Sequence, residues 1–332
     1  MRFLKKLLVV VLVLGIIYFL GPHPSKPVYN SDLPTVPANA VALETYITQQ
    51  ESQHKLKPDN EARIVWANDS LKQQTEYAIV YLHGFSASQE EGNPVHRNIA
   101  KQFGCNLYLA RLSQHGIDTT DALYNFTAEN FWESAKQAYA IGKQLGKKVI
   151  LMGTSTGGTV ALQLAAAYPE IAGLVLYSPN IAINDPNAWL LNDPWGLQIA
   201  RLVKGSKLNP TGHTEPEYLK YWNTLYRLEA TVQLEELLET TMNAETFGKV
   251  KQPTITLYYY KDKDHQDKVV KVSAMKEMMA QLGTAADQKK MVAIPEAGNH
   301  VLASPIQSKD IVSVEKESSL FMKDVLHITA RH

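Results

Sequence analysis

The sequence predicts an α/β fold, with a mainly parallel sheet, helices on both of its faces and a helical insertion late in the chain. Three observations lead there. Continuous apolar runs such as Tyr77-Ala78-Ile79-Val80-Tyr81-Leu82 alternate with segments of helical spacing, the pattern of strands buried on both faces. One run, Lys148-Val149-Ile150-Leu151-Met152, passes through Gly153-Thr154-Ser155-Thr156-Gly157 into a stretch of good helix formers. The alternation then breaks between about Ile181 and Lys251, where the spacing is helical or irregular.

In chain order, strands are predicted over Tyr77–Leu82, Cys105–Leu112, Val149–Met152, Ala172–Tyr177, Thr254–Tyr260 and Lys290–Ile294. Helices are predicted over Ala42–Gln53, Ala128–Leu145, Thr156–Tyr168 (stopped by Pro169), Val269–Leu282 and Asp310–Leu326. The insertion, at about 181–250, reads as helices over Asn187–Val203, Glu215–Leu228 and Thr231–Thr241. It holds Trp189, Trp195 and Trp222, with Tyr218, Tyr221 and Tyr226. Placed after a strand on the side where α/β sheets carry their sites, it is expected to cap a pocket, with most of these aromatics docking it onto the sheet.

The chain has 332 residues, 45% of them hydrophobic and 20% charged, enough for a large core. Lys plus Arg and Asp plus Glu each number 33, so nothing in the charge favours nucleic acid as a partner. The lone cysteine, Cys105, excludes an intrachain disulfide framework and reads as a buried small apolar residue.

The N-terminus reads differently. Arg2, Lys5 and Lys6 precede the apolar run Leu7–Leu20, the layout of a secretory signal. Gly21-Pro22-His23-Pro24 is poor material for cleavage, and Ala38-Asn39-Ala40 lies far downstream. Residues 1–21 are therefore expected to be an uncleaved signal-anchor (a transmembrane helix), with a cleaved signal peptide as the alternative. The protein would be exported and tied to the membrane by this segment, its globular domain outside the cytoplasm. Residues 22–40, with Pro22, Pro24, Pro27, Pro34 and Pro37, read as an extended linker, and the domain itself as 41–328.

The chemistry starts at Ser155. A G-x-S-x-G between strand and helix is a nucleophile elbow, a sharp turn that projects the serine from the top of the sheet. Serine is a weak nucleophile and needs a base, which in turn needs an orienting acid. His300, in Glu296-Ala297-Gly298-Asn299-His300 after the last strand, is the candidate base. The acid should lie in Lys261-Asp262-Lys263-Asp264-His265-Gln266-Asp267, after the strand ending at Tyr260. Asp267, which leads into Lys268-Val269-Val270, is the first choice. Asp264, nearer the strand end, is the alternative, and Asp262 the third. The loop lacks the glycine and distal glutamate of a calcium site. Oxyanion donors are expected at Thr156 N–H, just after the nucleophile, and Phe85 N–H in His83-Gly84-Phe85-Ser86. His83 itself reads as a structural hydrogen-bonding group.

Together His83-Gly84-Phe85, Arg111-Leu112-Ser113-Gln114-His115-Gly116, Gly153–Gly157, Asp267–Val270 and Gly298-Asn299-His300 resemble the α/β-hydrolase-fold serine hydrolases, within them the monoacylglycerol lipase, lysophospholipase and carboxylesterase group. The resemblance spans roughly residues 62–328. It implies an α/β-hydrolase fold and hydrolysis of carboxylic esters, small or lipid-like, through a Ser-His-Asp triad and an acyl-enzyme, without metal or organic cofactor. Two departures stand out. Gln114 occupies a position where the family usually has glycine, and the acid loop is longer than usual. A peptidase or amidase on the same machinery, and a noncatalytic binding protein, are the rival readings.

Overall fold

A computed structural model describes residues 2–331. Two helices, α1 (Arg2–Phe19) and α2 (Ala40–Glu51), precede the sheet. Then come β1 (Arg63–Val65), β2 (Thr75–Leu82), α3 (Val95–Phe103), β3 (Asn106–Leu109), α4 (Ala128–Leu145), β4 (Gly146–Thr154), α5 (Thr156–Ala167) and β5 (Gly173–Tyr177). The insertion carries α6 (Gly196–Lys204), β6 (Leu208–Pro210), α7 (Pro216–Tyr221), β7 (Leu225–Arg227), α8 (Leu228–Thr241) and α9 (Ala244–Lys249). The chain ends with β8 (Thr254–Tyr258), α10 (Val272–Gln281), β9 (Lys289–Ala293) and α11 (Ile311–Asp324).

Seven strands form one sheet in the order β1-β3-β2-β4-β5-β8-β9. Only β1 runs antiparallel, on the edge beside β3; every other pair is parallel. The side-chain period of two explains the continuous apolar runs. Along β2, Ala78, Val80 and Leu82 join the core on one face, with α4 and α5. Ile79 and Tyr81 join the other, with α3 and α11. A strand covered on both sides has no polar face to show.

The fold class is the expected one, and several element boundaries follow local chemistry. Asn39 caps α2 by accepting the N–H groups of Val41 and Ala42. Thr127 and Asn130 form a reciprocal capping box on α4. The helix expected from Val269 begins only at Val272, because the Asp267 side chain holds the amides of Val269 and Val270 in a turn. The helix expected over Asn187–Val203 is a short 3-10 turn, Ala188–Leu190, followed by α6. Pro194 and Trp195, which adopts φ 69°, separate the two. The helix expected over Glu215–Leu228 stops at Tyr221, because Trp222 is extended. Beyond it β7 pairs with β6 in a hairpin that the sequence did not announce.

The expectation of a transmembrane anchor is not met. Among the described residues, no helix is long and apolar enough to cross a membrane. Helix α1 has 18 residues, about 27 Å at ~1.5 Å per residue, against a hydrocarbon core of about 30 Å. Its first turns are occupied by Arg2, Lys5 and Lys6, which shortens the apolar part further.

The proline-rich segment that follows has no hydrogen-bonded secondary structure but is fastened along the domain as a strap. Trp132 Nε1 donates to the carbonyl of Asn30 at 2.7 Å, Tyr168 OH to Ser31 at 2.6 Å, and the buried Lys136 Nζ to Asp32 at 2.8 Å. At its start, the strap meets the insertion: Trp195 takes the carbonyl of Ile17 on its indole N–H and that of Pro22 on its backbone N–H.

Candidate active site

Ser155 sits between β4 and α5 with φ 52° and ψ −120°, a strained conformation for a residue with a side chain. Its N–H is held by the Tyr177 carbonyl at 2.9 Å. The strain persists because the surroundings allow nothing larger. A Cβ on Gly157 would overlap the carbonyl oxygen of Leu82, and one on Gly153 would lie 2.7 Å from that of Gly157. The helix therefore starts directly against the end of β2, and Ser155 projects into a cavity of about 920 Å³ beneath the insertion.

His300 enters the same cavity from the loop after β9. Its Nδ1 lies 2.6 Å from Oδ2 of Asp267. The other carboxylate oxygen, Oδ1, accepts the amides of Val269 and Val270 at 2.9 and 3.1 Å. Burial alone would raise the pKa of Asp267; the charge and hydrogen bond of His300 and the two amides outweigh it and hold it below the ordinary value. Burial likewise opposes charge on His300, but Asp267, and after it Glu91, carry its pKa above the ordinary value. With Nδ1 committed to Asp267, Nε2 is buried and has no hydrogen-bond partner.

The three aspartates separate by the shape of their loop. Tyr260 bridges to Gln266, and Lys261 N–H donates to His265 at 2.8 Å, closing a small hairpin. Its tip carries Asp262 and Asp264 outward. Asp262 accepts from the backbone of Asp264 and the imidazole of His265; Asp264 is exposed on the cavity rim and makes no bond to His300. The chain returns to the sheet at Asp267, which is buried. The hairpin takes up residues 261–266 of this loop.

Phe85 and Thr156 face the cavity beside Ser155. Neither backbone N–H has an acceptor among the described residues. His83 supports the turn before Phe85. Its Nε2 accepts the Leu112 N–H at 2.9 Å, so the proton is on Nδ1, which donates to the Gly84 carbonyl at 2.9 Å. Burial pushes its pKa down to about 4, so it stays neutral.

One residue escaped sequence reasoning. Glu91 lies in the 3-10 turn Gln89–Gly92, is buried, lines the cavity and accepts the Gly84 N–H at 2.6 Å. In the sequence it is one of two adjacent glutamates in a polar loop, and nothing there tells it from Glu90.

The insertion closes the cavity. Tyr226 packs edge-on against Phe85 with ring centroids 5.2 Å apart, and Trp222 stacks on Tyr218 at 4.5 Å. Trp222, Tyr218 and Tyr226 are buried, Trp195 and Tyr221 are half-buried, and Trp189 is 53% exposed. The buried Leu228 and Leu234 give the roof an apolar lining, and the exposed Ile199 and Val203 lie at its open edge. Cys105 is far from this chemistry in kind: it is buried, and desolvation pushes its thiol up to about 12. Among the described residues, no cluster of His, Cys, Asp or Glu is arranged to hold a metal ion.

Residues 79–310 match the alpha/beta hydrolase family. A thermostable monoacylglycerol lipase of Bacillus sp. (strain H-257) is 31% identical over 97 residues, 29% of this chain and 38% of that protein. A probable alcohol acetyltransferase of Saccharomyces cerevisiae is 27% identical over 113 residues, 33% of this chain and 32% of that protein. The chain thus aligns with about a third of the length of each of these relatives. Among solved structures, a metagenome-derived lipolytic enzyme superposes with a TM-score of 0.60 at 16% identity, covering 81% of this chain and 99% of that one. The monoacylglycerol lipase of Paleococcus ferrophilus gives 0.58 at 14% identity, covering 81% and 100%. These structural likenesses speak for the fold. With the family match covering most of the sheet, the elbow and the His300 loop, the chain belongs to the alpha/beta hydrolase family.

Proposed function

We propose that the protein is a carboxylic ester hydrolase working through an acyl-enzyme on Ser155, with His300 as base and Asp267 as its orienting acid. The observation that carries this reading is the 2.6 Å contact of His300 Nδ1 with Asp267, which leaves the buried Nε2 unpartnered in the cavity that Ser155 enters. Lipolytic and monoacylglycerol lipase relatives support ester chemistry.

In this reading Nε2 takes the proton of Ser155 Oγ as the oxygen attacks the acyl carbon. The Phe85 and Thr156 amides donate to the oxyanion, aided by the N-terminus of α5. Protonated His300 then gives its proton to the departing alkoxide, releasing the alcohol and leaving the acyl group on Ser155. Water, deprotonated by His300, attacks the ester so formed, and the second oxyanion collapses to release the acid as His300 returns that proton to Ser155 Oγ. The catalytic unit is residues 41–328, with the insertion at about 181–250 as its cap. The apolar roof favours an ester with an acyl chain or other apolar moiety.

The test is Ser155→Ala in the full chain. Hydrolysis of p-nitrophenyl esters and labelling by a fluorophosphonate should both vanish while the circular dichroism spectrum is unchanged. A variant that still labels sinks the assignment of the nucleophile. Turnover of aminoacyl amides above that of esters would favour the amidase reading instead. Folded wild-type protein that neither turns over nor labels would leave a binding role.

A further inference from the structure

A second carboxylate stands beside the proposed triad. Glu91 is 2% exposed, and its Oε2 accepts the Gly84 N–H at 2.6 Å. A Cβ on Gly84 would lie 3.0 Å from both Glu91 carboxylate oxygens and 3.0 Å from Cβ of Ser155. Only the thickness of a glycine therefore separates this carboxylate from the serine. Glu91 also shares the cavity wall with His300. A glutamate in such a place is costly to bury. The Gly84 amide and the Trp222 side chain are a small return for that cost, since an uncharged acceptor such as glutamine could serve both.

We propose that Glu91 is a positioning residue with two actions: it holds the Gly84–Phe85 turn by its bond to Gly84, and it gives the imidazolium formed at His300 a second negative neighbour besides Asp267. The inference rests on the reading of His300 as the base.

The electrostatics agree with the geometry. Burial pushes Glu91 up to about 7, against the pull of the Gly84 amide, the His300 charge and Trp222. Glu91 in turn favours the charged form of His300. The other groups facing this corner do not take over that role. Tyr81 of β2 and Tyr218 of α7 are held neutral by burial. Glu90 is occupied by Asn93 at 2.9 Å, and His213 pairs with Glu215 at 3.2 Å. Asp267 acts on His300 through Nδ1 and would be untouched by a change at Glu91.

The test compares wild type, Glu91→Gln and Glu91→Ala, all as full chains. The His300 ring and the Glu91 carboxyl carbon are followed by NMR of protein 13C-labelled in histidine and glutamate, their signals identified by their loss in His300→Asn and Glu91→Gln. Glutamine keeps an acceptor for Gly84 but removes the charge. Glu91→Gln should therefore move the His300 midpoint, and the acid limb of kcat/KM with it, to lower pH by about half a unit to one unit. Glu91→Ala should show the same shift and, with the Gly84 amide unpaired, lose about tenfold or more in kcat. In wild type, the His300 signal should titrate in two steps, the second tracking the Glu91 carboxyl carbon. A one-step wild-type curve, or an unchanged midpoint in folded Glu91→Gln, overturns the proposal, and the wild-type curve decides the matter if the variants do not fold. The two readings fail separately. Inactive wild type with the two-step titration sinks the esterase reading and upholds the Glu91–His300 coupling. Active wild type with a one-step curve does the reverse.

Discussion

Asp267 Oδ2 and His300 Nδ1 meet at 2.6 Å across 33 residues of chain, while Oδ1 of the same carboxylate is held by two consecutive amides. The two oxygens divide the work. One fixes the carboxylate to the start of the turn before α10, and the other fixes the imidazole. Asp264, three residues earlier in the loop, has neither contact and lies in solvent at the cavity rim.

The first prediction follows from that division. Asp267→Asn offers the imidazole an amide and removes the charge that stabilises its protonated form, so kcat on a p-nitrophenyl ester should fall by about 10³- to 10⁴-fold. Asp264→Asn should change kcat by less than about twofold. Steady-state kinetics on the two variants decide between the aspartates, and the opposite ranking would assign the acid to the rim.

The second concerns pH. In the proposed reading His300 works as a base only when neutral, and its pKa is raised above the ordinary value of about 6.5. The acid limb of kcat/KM is therefore expected above pH 6.5, and lower in Asp267→Asn. Stability follows with the sign worked out for each partner. A raised histidine contributes fully below about 6.5 and loses its contribution as pH rises through its folded pKa. A lowered aspartate contributes fully above about 3.9 and loses it as pH falls through its folded pKa. Both contributions are whole between those limits. The difference in urea midpoint between wild type and Asp267→Asn should be greatest near pH 5 and shrink on either side.

The third concerns the strap. Trp132, Lys136 and Tyr168 each give a hydrogen bond, to the carbonyls of Asn30, Asp32 and Ser31 respectively. A chain beginning at residue 28 keeps these three acceptors; one beginning at residue 38 leaves the donors without them. At about 1 kcal/mol per lost partner, the shorter chain should be less stable by about 3 kcal/mol in urea unfolding. Equal midpoints would mean that water replaces the strap without loss.

How far the sequence reached depended on whether an interaction was local. The elbow is local: strand, G-T-S-T-G and helix are contiguous, so Ser155 was placed from its neighbours alone. His300 lies in the loop after the last strand, and the structure brings it into the cavity that Ser155 enters. The choice among Asp262, Asp264 and Asp267 was not local. It turns on the bridge between Tyr260 and Gln266, which aims two carboxylates outward and the third inward. Glu91 is invisible in the sequence for the same reason, since α7 and the Gly84 turn, distant from one another in the chain, pack against it. The β6–β7 hairpin was missed because each strand has only three residues, too few to show a period of two. The apolar N-terminal run shows its helix in the sequence, but the basic residues in the first turns of an 18-residue helix leave too short an apolar stretch for a span.

The last prediction tests the elbow by its close approach. A Cβ on Gly157 would meet the backbone carbonyls of Leu82 and His83, with His83 O at 2.7 Å. Backbone cannot swing aside as a side chain can, so Gly157→Ala must push α5 away from the end of β2. Thr156 opens α5 and Phe85 follows the end of β2, so the spacing between their amides is what an oxyanion would bridge. The variant should therefore lose rate out of proportion to fold: a fluorophosphonate labelling rate down by about 10²-fold or more, in protein that is destabilised but retains its far-ultraviolet spectrum. Gly248→Ala is the control. Gly248 lies inside α9 with nothing within 4 Å of the added carbon, so alanine there should raise stability by up to about 1 kcal/mol and leave labelling unchanged. If Gly157→Ala labels as fast as Gly248→Ala, the contact between α5 and β2 does not set the amide pair, and the oxyanion donors must be sought elsewhere in the cavity wall.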